Sequence, residues 1–300
     1  MEQKNKIEGF QCAEQKRRGF LYDLVSNYDI QYVDLEFKGR ISDVVGRIGR
    51  TLNKGRLADL QSKDALELIL DVPRVLRYLI DRKISSGSEA SERYISEAVE
   101  ASLSVYSLSD DARNKFFKLE LDAGKEFERA WISQQSDYVS WESSYPDRST
   151  ASAKLLAEDT KLRDVLFIPL AHGAISAGLD VYLRYLAQSG SDDSEFYPIR
   201  FSRYKLYDKQ PQISKSELDH LINASKGRNI VIFDEDTGGR TLAKACEFFN
   251  ASIPNYDGRI LGLTNNNSGG IYGHAYRGAK GMPCVMPRSL ADRSFEAVLR

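Results

Sequence analysis

Little in this chain supports a cross-linked or metal-stapled scaffold. Only three cysteines occur in 300 residues, Cys12, Cys246 and Cys284. No two stand in a C-x-x-C spacing, so neither a disulfide framework nor a thiolate zinc site is expected. Histidine is equally scarce, with three, and His220 and His274 have no neighbours at the spacing of metal ligands or a catalytic triad. No apolar run approaches the roughly 18 residues of a membrane-spanning helix. The opening M-E-Q-K-N-K-I-E-G-F carries charge where a signal peptide needs an apolar stretch. These absences give the expectation of a cytoplasmic protein without membrane contact. An excess of one charge is also lacking: 42 basic and 43 acidic residues leave a formal net charge of -1. A global pull toward nucleic acid or anionic lipid is thereby excluded, and only local patches remain.

What is present is a composition of 42% hydrophobic and 28% charged residues, enough to build a sizeable core in a soluble protein. At this length two domains are the expectation, with a boundary at residues 148 and 149. The first half reads as helical. In D-A-L-E-L-I-L-D-V-P-R-V-L-R-Y-L-I-D the residues Leu66, Leu68, Ile69, Val72, Leu76, Leu79 and Ile80 form one wide apolar face, with Pro73 expected to kink or split the helix. After a polar hinge, S-S-G-S-E-A-S-E, a second pattern carries Tyr94, Ile95, Val99, Leu103 and Tyr106. Ser109 suits an N-cap for a third, whose Phe116, Phe117, Leu119, Phe127 and Trp131 read as packing residues. Arg47, Arg50 and Lys54 fall on one helical face behind a cap at Ser42. Two readings of that face stay open, a solvated surface and a contact for protein or nucleic acid.

The texture changes around S-S-Y-P-D-R-S-T, where Pro146 and its polar neighbours suggest a linker. Beyond it the chain alternates. A helix from about Thr150 is followed by the strand D-V-L-F-I-P-L, the loop A-H-G-A-I-S-A-G and the helix L-D-V-Y-L-R-Y-L-A. Then come the strand F-Y-P-I-R-F, a helix near Ser214, the strand N-I-V-I-F, a helix from Gly238 and the strand G-R-I-L-G-L-T. Strands and helices in this alternation predict a parallel α/β sheet, whose ligands sit at the carboxyl ends of the strands.

Two loops fall at such ends. In D-E-D-T-G-G-R-T, Asp234 and Glu235 close a strand, and Thr237 to Thr241 turn into a helix. Amides at a helix start, unobstructed at Gly238 and Gly239, can surround a phosphate. The carboxylates ahead of them can accept hydrogen bonds from vicinal sugar hydroxyls or hold hydrated Mg²⁺. The second loop, at Ala171, His172 and Gly173, can offer peptide N–H groups and an imidazole to another anion. Two anion sites flanking an acid pair suit a ribose that carries a 5-phosphate and a pyrophosphate.

With these motifs, the chain from about residue 150 to its end resembles the type I phosphoribosyltransferases. I-V-I-F-D-E-D-T-G-G-R-T is similar to that family's strand, acid pair and threonine-glycine turn, although the stretch between acids and turn is shorter. P-L-A-H-G matches its pyrophosphate loop, with His172 where many members carry a basic residue or glycine. R-F-S-R-Y-K resembles the start of its flexible catalytic loop. The resemblance implies a fold of the α/β class, a parallel-sheet type I phosphoribosyltransferase-like domain preceded by an all-α domain. It implies phosphoribosyl pyrophosphate or a nucleotide as ligand, Mg²⁺ as cofactor, and transfer of phosphoribose to a nitrogen acceptor with release of pyrophosphate. Asp234 and Glu235 would hold the ribose hydroxyls and the metal shell, and Asp236 would accept a proton or stabilise developing positive charge. Thr237, Gly238, Gly239, Arg240 and Thr241 would hold the 5-phosphate, and Ala171, His172 and Gly173 the pyrophosphate. Ser202, Arg203, Tyr204 and Lys205 would close over the site.

Other readings stay open at this point. F-D-E-D-T also fits the D-x-D-x-T of haloacid-dehalogenase-type phosphatases, with Asp234 as nucleophile and Asp236 as acid/base. Against it, the remaining acids Glu247, Asp257, Asp292 and Glu296 are scattered. A phosphoribosyltransferase-like sensor that binds without turnover would share the same motifs, and so would a plain acidic helix cap. In T-N-N-N-S-G-G-I-Y-G-H-A-Y-R-G, Tyr272, His274 and Tyr276 could stack on a base and Asn265 to Asn267 read its edge, or the segment is a solvated loop. The helical half has three open roles: capping the site, forming a homo-oligomer, or contacting a partner.

Overall fold

The computed structural model describes residues 19–25, 36–86, 90–128, 130–134, 146–159, 162–203, 206–235, 240–253 and 255–265. In the N-terminal half, short 3₁₀ turns at Leu21–Leu24 and Leu57–Asp59 accompany helices α1 (Ile41–Leu52), α2 (Ser62–Ser86), α3 (Ala90–Tyr106) and α4 (Ala112–Phe127). This half is not wholly helical. Strand β1 (Phe37–Arg40) pairs antiparallel with β2 (Trp131–Gln134), Phe37 opposite Gln134 and Arg40 opposite Trp131. The Phe37 ring is flanked by the guanidinium groups of Arg47 and Arg74, 5.2 and 4.4 Å from its centroid. Trp131 therefore belongs to a strand and is 61% exposed, so it is not a packing residue of the third helix. Phe116, Leu119 and Phe127 are buried as expected, whereas Phe117 is exposed beneath the Arg113 guanidinium and is not a packing residue. The start of α1 is also earlier than expected. Arg40 occupies the N-cap and Ser42 lies inside the helix, because the backbone is still extended at residue 40. Likewise Asp111 caps α4, and Ser109 accepts the Asp111 N–H through its hydroxyl.

Helix α2 runs unbroken through Pro73. A proline has no N–H to donate to the carbonyl four residues back, which here is Ile69. That carbonyl is instead taken by two hydroxyls, Tyr106 at 2.8 Å and Ser176 at 3.2 Å. The helix is thus not split at Pro73, and the freed carbonyl becomes a tertiary junction joining α2, α3 and the C-terminal half.

The second half contains α5 (Pro146–Glu158), β3 (Val165–Ala171), α6 (Ile175–Ser189), β4 (Glu195–Phe196), β5 (Ile199–Arg200), α7 (Lys215–Ala224), β6 (Asn229–Phe233), α8 (Arg240–Ser252) and β7 (Ile260–Leu263). F-Y-P-I-R-F forms two short strands rather than one, separated at Tyr197 and Pro198, and both pair with β3. Ser214 caps α7 in a reciprocal box with Glu217, and Gly190 closes α6 in the left-handed region at φ 65°. The sheet order is β4–β3–β6–β7, with β5 beside the end of β3, and every pairing is parallel.

Strand side chains alternate between faces, and the core divides accordingly. Leu166, Ile168, Leu170, Ile230, Ile232 and Ile260 pack with Leu221 of α7 and Leu242, Ala245 and Phe249 of α8. Val165, Phe167, Val231, Phe233 and Leu261 face α5 and α6, in a cluster that continues into α1–α4. Buried contacts therefore run across the 148/149 junction, and α5 already begins at Pro146. Gly178 allows α6 to approach the sheet, since a Cβ there would meet Pro169 at 3.0 Å and Phe233 at 3.3 Å. Among the described residues no helix is long and apolar enough to cross a membrane.

Candidate functional site

From β3 the chain crosses to β4 and β5 on one side of the strand, then to β6 on the other. In open parallel sheets, ligands bind at the carboxyl ends of the strands where the strand order reverses in this way. The loops leaving β3 and β6 are the two singled out by their residues. Register holds them side by side: Pro169 pairs with Phe233, so Ala171 to Gly173 and Asp234 to Glu235 leave neighbouring strands together. A Cβ on Gly173 would lie 3.7 Å from Oε2 of Glu235, which makes the two loops direct neighbours.

Asp234 continues the ladder by donating its N–H to the Leu263 carbonyl at 3.1 Å, and its side chain accepts the Glu235 N–H at 2.9 Å. Glu235 is buried while Asp234 is half-buried. Thr241, in the first turn of α8, is buried as well. Asp236, Thr237, Gly238 and Gly239 lie outside the described residues, and Arg240 is described only as the first residue of α8. The expected helix start at Gly238 therefore stands at Arg240 among the described residues.

In the β3 loop the Ala171–His172 peptide is cis. His172 is buried, and its Nε2 donates to Oδ1 of Asp81 on α2 at 2.8 Å. Burial is the leading influence on its pKa and outweighs the Asp81 carboxylate, while Arg77 and Arg200 add to the depression. The imidazole is thus held neutral, with the proton on Nε2. The same Asp81 oxygen lies 3.5 Å from Nη1 of Arg200, the residue paired with Ala171 in the β3–β5 ladder. Arg200 also binds Asp208, through Nε at 3.3 Å and Nη2 at 3.2 Å. Asp208 in turn accepts the N–H of Ser202 at 2.9 Å, folding the loop after β5 back toward its own start. Ser202 and Arg203 belong to this described loop, whereas Tyr204 and Lys205 lie outside the described residues.

Asp81 and Arg77 were not among the expected site residues, and Arg200 figured only as the first residue of R-F-S-R-Y-K. Arg77 and Asp81 stand four apart on α2 and so share a face. A charged pair on an amphipathic helix carries no motif, and only the packing of α2 against the β3 loop shows its place. Asn265, by contrast, is engaged by helix α5. It is buried, accepts the Ser152 hydroxyl at 2.5 Å and donates to Ser149 at 3.3 Å, so it ties β7 to α5. Asn266, Asn267, Tyr272, His274 and Tyr276 lie outside the described residues. The Arg47, Arg50 and Lys54 face is largely paired internally. Arg47 binds Asp71 through two bonds of 2.8 and 2.9 Å, and Lys54 meets Asp64 at 2.6 Å.

Among the described residues no group of three or more His, Cys, Asp or Glu side chains is placed to hold a metal ion. Asp234 and Glu235 supply hard oxygen donors of the kind Mg²⁺ uses, too few for a closed cage and suited to an ion that keeps waters and arrives on a phosphate. No protein-family model matches the chain, and no curated protein or solved structure matches it.

Proposed function

We propose that the protein binds phosphoribosyl pyrophosphate, or a nucleotide of the same sugar-phosphate chemistry, in the crevice at the ends of β3 and β6. In this reading it transfers phosphoribose to a nitrogen acceptor with release of pyrophosphate. The observation that carries the reading is the contact between the two loops, Gly173 against Glu235. One ligand spanning both must carry a group for the carboxylates and an anion for the β3 loop. A ribose with hydroxyls for Asp234 and Glu235 and a pyrophosphate beside Ala171, His172 and Gly173 meets that requirement. The turn from Asp236 to Thr241 would receive the 5-phosphate at the start of α8. Asp234 and Glu235 would hold Mg²⁺, which would supply neutralisation of charge on the pyrophosphate leaving group. Asp236 would stabilise the positive charge that develops at the anomeric carbon. The segment Ser202 to Lys205 would close over the sugar and keep water out.

The phosphatase reading finds less support. Asp257 lies exposed ahead of β7, at the end of the strand away from the crevice, and Glu247 is exposed on α8. The sensor reading is favoured by one specific contact, His172 with Asp81, which ties the β3 loop directly to the helical half. Calorimetric titration with phosphoribosyl pyrophosphate and Mg²⁺ tests both. Asp234→Asn combined with Glu235→Gln should abolish binding while thermal unfolding stays that of a folded protein. Equal affinity in wild type and double variant would rule out the site. Binding without pyrophosphate release across a panel of nucleobases would select the sensor over the enzyme.

A further inference from the structure

The Asp81 carboxylate sits in an unusual place for a structural residue. It reaches from a helix of the N-terminal half to the end of the central strand, where its Oδ1 lies 2.8 Å from Nε2 of His172 and 3.5 Å from Nη1 of Arg200. An oxygen held between an imidazole N–H and a guanidinium is in the environment that a phosphate oxygen would occupy. The side chain is 37% exposed, against 7% for His172 and 19% for Arg200. The two donors are therefore fixed by packing, while the carboxylate stands at the open side and can rotate away. One turn earlier on α2, Arg77 faces the same way and donates to the Ser133 carbonyl at 3.1 Å.

We propose that His172, Arg200 and Arg77 form an anion subsite completed by helix α2, which Asp81 fills as an internal stand-in and from which a diphosphate displaces it. The charge pattern supports a displaceable occupant. With His172 neutral, the guanidinium groups of Arg77 and Arg200 are matched by the carboxylates of Asp81 and Asp208. A diphosphate entering with Asp81 in place would meet repulsion, whereas its entry with Asp81 turned out replaces a single negative charge by several. Asp81 therefore sets how tightly the subsite holds an anion, and it makes α2 responsive to occupancy.

The inference rests on the pyrophosphate placement proposed above, but inorganic pyrophosphate alone tests it, without the ribose. Titration of the full chain should show Asp81→Asn binding pyrophosphate at least about tenfold tighter than wild type, because a facing charge a few ångströms away is lost. Adding Arg200→Gln to Asp81→Asn should remove the gain. Unchanged or weaker binding by Asp81→Asn would overturn the proposal and make Asp81 a positioning residue for His172. A gain that survives Arg200→Gln would overturn it too, as would no binding to any of these proteins. The two readings fail separately. If phosphoribosyl pyrophosphate binds through the acid pair while Asp81→Asn leaves pyrophosphate affinity unchanged, the subsite falls and the function stands. If pyrophosphate behaves as expected but phosphoribosyl pyrophosphate binds no better than pyrophosphate, the reverse holds.

Discussion

Replacing Lys83 by methionine should destabilise the protein more than any neighbouring charge change, because it strands a buried carboxylate. Lys83, on α2, reaches Oε2 of Glu217, on α7, at 2.9 Å, and both side chains are 6% exposed. Removing one member of a buried pair typically costs about 3 to 5 kcal/mol, since the other charge is left in a poorly solvating environment. The lower end applies here. Glu217 would keep the Tyr197 hydroxyl at 3.1 Å and the Ser214 N–H at 3.2 Å, so its oxygens retain donors even without the ammonium. Lys83→Met should therefore lose about 3 kcal/mol in equilibrium urea unfolding. Adding Glu217→Gln should recover much of that loss, since the stranded charge is then gone while the capping acceptor remains. Two results would refute the reasoning: a single variant within about 0.5 kcal/mol of wild type, or a double variant no more stable than the single. Either would mean that water reaches the pair and that the bond between α2 and α7 is weaker than its geometry implies.

The Ile69 carbonyl gives a second stability test. Tyr106→Phe removes one of its two hydroxyl donors and should cost about 1 kcal/mol in urea unfolding, and the cost should shrink in a Pro73→Ala background, where a helix N–H can serve the carbonyl. Equal costs in both backgrounds would show that the hydroxyl does not substitute for the missing donor. His172 gives a pH test. Burial, helped by the facing Arg77 and Arg200 and opposed by the Asp81 carboxylate, holds its folded-state pKa below the unfolded value of about 6.5. The unfolded chain thus takes the proton first as pH falls. Its contribution is complete above about pH 6.5 and is lost as the pH drops toward the depressed value. Wild type should lose more stability than His172→Gln between about pH 7.5 and 5.5, and parallel profiles would contradict this. Loss of sugar-phosphate binding in the acid-pair variant and the tighter pyrophosphate binding of Asp81→Asn complete the set, both read by calorimetry.

The parallel sheet was legible because its strands are continuous apolar runs, V-L-F-I-P-L and N-I-V-I-F, buried on both faces as such strands must be. The placement of the two loops was legible too, since glycines and acids directly after such runs fall where the strands end. The β1–β2 ladder was not. F-K-G-R and W-I-S-Q are four residues each, and they meet only after four helices have brought them together. Pro73 does not split its helix for a physical reason, because the cost of its missing N–H depends on what else can reach the carbonyl behind it. Asp81 gave no signal at all. On a helix with charges at regular intervals, one carboxylate becomes part of a site only through what the helix packs against.

That packing gives the helical half a more definite relation to the crevice than a cap or a tether. The chain leaving β3 is held from the N-terminal half at three places. His172 is bound by Asp81, Ser176 meets the Tyr22 and Tyr106 hydroxyls at 2.8 and 2.9 Å, and Arg184 joins Asp180 to Asp23 through bonds of 2.9 and 2.6 Å. Two of those links lead into α2, through Asp81 and through the Ile69 carbonyl, and the Lys83 pair fixes the same helix to α7. A movement of the β3 loop on binding an anion must therefore either break these bonds or carry α2 with it. The Ile69 and Lys83 contacts are buried and costly to break, whereas the Asp81 and Asp23 carboxylates are partly exposed, and of these two Asp81 is the one bound to the loop. The loop is consequently free to exchange its partner at Asp81 while the rest of the junction stays closed, so ligand occupancy is felt first at that side chain.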